Sequence, residues 1–82
     1  MEGIELEIEA ILNLIGDEYV SARSKYSKFH SSHEGFAVIK EEVDELWELV
    51  KQNKGIYSSP KMQKECIQIA AMALAFILDL TK

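Results

Sequence analysis

The chain has 82 residues, 48% of them hydrophobic, and a formal net charge of −5 with a pI near 4.9. An acidic surface repels the phosphate backbone of DNA or RNA, so a nucleic-acid polymer is excluded as a non-specific partner. The length suits one domain, residues 1–82, and so large an apolar fraction exceeds what three helices can hide alone; self-association as a dimer or tetramer is expected.

The opening Met1-Glu2-Gly3-Ile4-Glu5 lacks a basic region and an unbroken apolar core, so no signal peptide is expected there. Ile4, Ile8, Ile11, Leu12, Ile15, Tyr19, Ala22, Tyr26 and Phe29 recur at steps of three and four, which draws one stripe down a long first helix over about residues 3–29. Core packing is the expected use of that stripe, and Gly16 is a tolerated weakness within it. Toward its end Arg23, Lys25 and Lys28, with His30 and His33, form a locally basic patch interleaved with Tyr26 and Phe29. These rings and cations could contact a base and phosphates; they could equally be a solvated helix end whose cations complement the dipole. The two histidines could also be metal ligands or plain surface residues.

Ser31 followed three residues later by Glu34 is a capping-box signature and opens a second helix. It runs to about Gln52, with Phe36, Ile39, Val43, Leu46, Trp47 and Val50 on its main apolar face, and Asn53-Lys54-Gly55 ends it. Trp47 is read as core. Ser58-Ser59-Pro60 starts a third helix over about 60–80, since serine caps and proline suits the first turn. From Cys66 to Leu78 that helix is apolar nearly all round, which calls for neighbours on several sides. The apolar run Ile67–Leu80 is broken by Gln68 and Asp79 and is too short to span a bilayer, so a soluble protein is expected. Cys66, the sole cysteine, can form no intrachain disulfide and fits a reducing cytoplasm as a small buried hydrophobe. The fold class is therefore all-α: a three-helix unit with a long first helix and two shorter ones, completed as a bundle by oligomerisation.

The acids of the second helix divide into two groups. Glu41, Asp44 and Glu48 have the ordinary solvated placement. Glu42 and Glu45, three apart, share a face with Val38 and Leu49, and a carboxylate flanked by apolar residues needs a partner when buried. The third helix supplies Glu65 with Gln68 one turn on, while its only lysines, Lys61 and Lys64, sit near its start. Facing acids favour a divalent cation such as Mg²⁺ held by Glu42, Glu45 and Glu65, and a solvated face is the competing reading.

The run Glu41-Glu42-Val43-Asp44-Glu45-Leu46, the Glu65 helix and Ala70-Ala71-Met72-Ala73 resemble the MazG-like, all-α nucleoside triphosphate pyrophosphohydrolases over roughly residues 30–80. That signature is Glu-x-x-Glu on one helix and Glu-x-x-Asp on the next. Glu42 and Glu45 fill the first pair and Glu65 opens the second, but Gln68 stands where the signature has Asp, a departure that should lower metal affinity. Asp79 is about 16 Å further along the same helix and cannot replace it. Glu41 could supply the missing charge, or the site could be weakened, regulatory or inactive.

The resemblance implies Mg²⁺-dependent (or Mn²⁺-dependent) hydrolysis of a nucleoside triphosphate to monophosphate and pyrophosphate. Glu42, Glu45, Glu65 and Gln68 would be metal ligands; Glu41, Glu42 and Glu45 would be catalytic, Glu41 orienting water. Lys25, Phe29, His30 and His33 are the candidate substrate contacts. The rival reading is a non-catalytic or regulatory helical interaction module. A di-iron bundle would need paired Glu-x-x-His segments, which the sequence lacks.

Overall fold

A computed structural model describes residues 2–52 and 59–82. Three helices run α1 (Glu2–Lys25), α2 (Ser32–Gln52) and α3 (Pro60–Leu80), and no strand occurs among the described residues. The fold is all-α, with α2 and α3 close to their expected bounds. The Asn53-Lys54-Gly55 stop and Ser58 lie outside the described residues.

Each helix start has a local cause. Glu2 and Glu5 in the first turn of α1 and Arg23 and Lys25 in its last turn match the sign of the helix dipole. At α2, Ser31 Oγ accepts from Glu34 N at 3.1 Å, and Glu34 Oε1 accepts from His30 N at 2.8 Å. The capping box thus closes on the amide of His30, one residue before Ser31. Ser59 at the start of α3 has extended backbone, and its hydroxyl accepts from Met62 N at 3.1 Å ahead of Pro60.

The first helix ends at Lys25, four residues earlier than its stripe predicts. Phe29 N donates to Asp79 Oδ2 on α3 at 3.0 Å. A buried carboxylate that captures this amide holds the chain away from helical geometry.

α3 lies at the centre, with α2 packed on one side of it and α1 on another. Among the described residues α1 and α2 do not pack on each other. The apolar third helix thus has two neighbours among the described residues rather than a full surround, and Cys66 and Ile77 stay exposed. Small residues permit the close approach: Ala71 and Ala75 are buried, as is Gly35 of α2. A Cβ on Gly35 would stand 2.6 Å from Phe76 Cδ2, so α2 crosses α3 where only hydrogen fits.

Three expectations about the core do not hold, the first being Cys66, which is exposed and not a small buried hydrophobe. The stripe expected of the first helix is partly buried at Ile15, Tyr19, Ala22 and Phe29, but Tyr26 is exposed, and so are Ile4, Ile8, Ile11 and Leu12, because α3 covers only the C-terminal half of α1. Trp47 is 56% exposed and not core. α3 covers the side of α2 that carries Val38, Ile39, Leu46 and Leu49, leaving Phe36, Val43, Trp47 and Val50 to solvent. No helix among the described residues is long and apolar enough to cross a membrane.

Candidate metal centre and adjoining groove

Glu42 and Glu45 project from one side of α2 toward α3, which offers Glu65 from its second turn. One carboxylate oxygen from each of the three lies within 4.8 Å of the others. Glu42 and Glu65 are half-buried and Glu45 is exposed. An octahedral cation with ligands at 2.0–2.1 Å needs oxygens about 2.9–4.1 Å apart, so modest side-chain movement brings the three onto one ion.

Gln68 completes the group. With its amide turned to donate, Nε2 lies 3.1 Å from Glu42 Oε2 and 3.1 Å from Glu65 Oε1. Turned the other way, its carbonyl oxygen faces the same two carboxylates, which is the arrangement a shared cation needs. Gln68 therefore can serve the cluster in two ways, as a neutral donor or as a fourth oxygen ligand.

Crowding acids in this way perturbs their titration. Partial burial, the contact with Glu65 and the charge of Glu45 push the Glu42 carboxyl up to about 8. Glu45 is raised as well, first by the charge of Glu65 and then by desolvation. At neutral pH the cluster tends to hold a proton, which a divalent cation would displace.

An open groove of about 580 Å³ adjoins this cluster and shares Glu42 and Gln68 with it. Tyr19, Tyr26, Phe29, Lys25 and Arg23 line one side, and Glu41 stands near the acids. Of the sequence-based candidates, Lys25, Phe29, Glu41, Glu42 and Gln68 meet here. His30 and His33 do not line the groove: His30 lies in the capping box, with Nδ1 3.6 Å from Glu34 Oε1, and His33 is exposed in the first turn of α2.

The sequence reading missed one pair. Arg23 Nη2 donates to Asp79 Oδ1 at 2.7 Å, and its Nε and Nη2 also reach Tyr19 Oη at 3.2 and 3.1 Å. The Asp79 side chain is only 3% exposed. Burial alone would raise its pKa, but the amide of Phe29 and then the Arg23 guanidinium more than offset this, so the carboxyl sits below its usual range. Arg23 is thus engaged structurally on the groove wall. A single acid in the apolar run of α3 was the available signal, since a buried charge needs a partner.

The chain matches no protein-family model, no curated protein and no solved structure.

Proposed function

We propose that this chain is a Mg²⁺-dependent nucleoside triphosphate pyrophosphohydrolase of the MazG-like kind, releasing monophosphate and pyrophosphate, with Mn²⁺ able to replace Mg²⁺. The observation that carries this reading is the convergence of Glu42, Glu45 and Glu65 within 4.8 Å, beside a groove with aromatic and basic walls. Three neighbouring acids without a cation repel one another, which adds to burial in raising Glu42 and leads in raising Glu45.

Glu42, Glu45 and Glu65, with the carbonyl of Gln68, would hold the ion. A bound divalent cation supplies charge neutralisation at the phosphates, which lets an acidic protein accept an acidic substrate. Lys25 on the groove wall would contact a phosphate, and Tyr26 and Phe29 would offer rings on which a base can stack. Glu41, at the same end of the groove, orients the attacking water and accepts its proton as the new P–O bond forms and the α–β bridging bond breaks. Self-association in the cytoplasm belongs to the same reading.

One observation favours a second reading. The Gln68 amide can satisfy Glu42 and Glu65 without any metal, as a non-catalytic interaction module would require. Incubation with a panel of ribo- and deoxynucleoside triphosphates plus Mg²⁺, assayed for pyrophosphate, separates the two. Release that disappears in Glu42→Gln supports the hydrolase; a blank panel from well-folded protein supports the module.

A further inference from the structure

α1 and α2 each present an apolar stripe that no described residue covers. On α1, Ile4, Ile8 and Ile11 continue with Ile15 at alternating steps of four and three, the spacing of a coiled-coil seam. On α2, Phe36, Val43, Trp47 and Val50 hold heptad-compatible positions, and Phe36 is 62% exposed. Residues 2–14 are all exposed, and so short a helical segment is marginal in water without packing.

The surface area states how much is uncovered. The chain exposes 6312 Å². A folded monomer of its mass exposes about 5,000 Å², leaving an excess of about 1,300 Å². Obligate dimers bury about 1,000–2,500 Å² on each partner, so one identical interface of that class accounts for the excess. The radius of gyration agrees: it is 14.1 Å, against about 11.7 Å for a compact chain of this length.

Charge selects which stripe meets which. Between Glu2 and Glu18 the acids of α1 are unopposed, with no lysine or arginine before Arg23, so α1 against a second α1 sets acid on acid. The α2 stripe is bracketed by Lys40 and Lys51, whose present partners Asp44 and Glu48 are exposed neighbours on the same helix. Such exposed pairs hold weakly and can be exchanged. A reciprocal contact of α1 with α2 obeys the two-fold rule that both copies use both patches.

We propose that two copies of this chain dock by laying the projecting half of α1 from each along the Phe36, Val43, Trp47 and Val50 stripe of the other's α2. This inference rests on the self-association in the reading above and is independent of the cation chemistry. It is tested by light-scattering mass measurement, with circular dichroism for helicity, on wild type, on Ile8→Glu/Ile11→Glu and on Trp47→Glu, singly and mixed. Wild type should have at least twice the 9.3 kDa chain mass, and each variant alone should lose association by tenfold or more. The equimolar mixture should regain part of the association, because the intact α2 of one variant meets the intact α1 of the other while the two altered patches face each other; if a lone variant loses helicity, the mixture should regain part of that too. A variant that stays fully dimeric alone, or a mixture that stays monomeric, overturns the α1-on-α2 arrangement while self-association stands. A wild-type monomer overturns self-association itself.

Discussion

Arg23 Nη2 stands 2.7 Å from Asp79 Oδ1, and this pair joins the last turn of α1 to the last turn of α3. The same carboxylate accepts from Phe29 N, so one buried acid both clamps two helices and ends the first of them. The groove wall at Phe29 is positioned by this clamp.

Asp79→Asn and Arg23→Met should each lower Tm at pH 7, and the double variant should lose less than the sum, because the partners act as one unit. The native Asp79 pKa is depressed, so its stabilisation is present above the ordinary carboxylate value near 3.8 and lost as pH falls through the lower native value. The gap between wild type and Asp79→Asn should therefore narrow in acid. Thermal melts followed from pH 7 to pH 2 check this.

Gly16 and Gly35 should respond in opposite directions. Nothing lies within 4 Å of a Cβ on Gly16, so Gly16→Ala should stabilise by about 0.5–1 kcal/mol through helix propensity alone. On Gly35 the same gain is opposed by overlap with the Phe76 ring, where overpacking costs about 1–3 kcal/mol. Gly35→Ala should be a net loss of about 1–2 kcal/mol by urea unfolding.

Glu42 imposes a pH dependence of the reverse sign to that of Asp79. Its pKa rises from 4.5 to about 8 on folding, so the native state keeps a proton that the unfolded chain has released between those values. This stabilisation is complete below about 4.5 and is lost as pH rises through 8. In the presence of a chelator, Tm should fall from pH 5 to pH 8, and Glu42→Gln should flatten that slope.

Gln68→Asp removes the neutral donor and adds a charge to the ligand set. Affinity for Mg²⁺ should increase on the order of tenfold, equivalent to about 1.4 kcal/mol. Calorimetric titration of the two proteins compares them directly.

The helices and the acid pair were legible because both depend on local spacing. Ser59, Pro60 and the apolar run define α3, and the three-residue step places Glu42 and Glu45 on one side of α2. Contacts that join distant positions were not legible. Nothing in the spacing of Arg23 indicates that it meets Asp79, and without that pair the stripe through Tyr26 and Phe29 reads as further helix. Periodicity also shows which residues share a face and not what covers that face, which is why Trp47 and Ile8 look like core from sequence and are exposed in the single chain.

Titration of Mn²⁺ into wild type and Glu42→Gln at pH 7, in two buffers of different ionisation enthalpy, tests the shared cation site most directly. The expected result is one ion per chain with a buffer-dependent heat reporting proton release, lost in the variant. Folded wild-type protein that binds no ion stoichiometrically, or binding unchanged by Glu42→Gln, would contradict it.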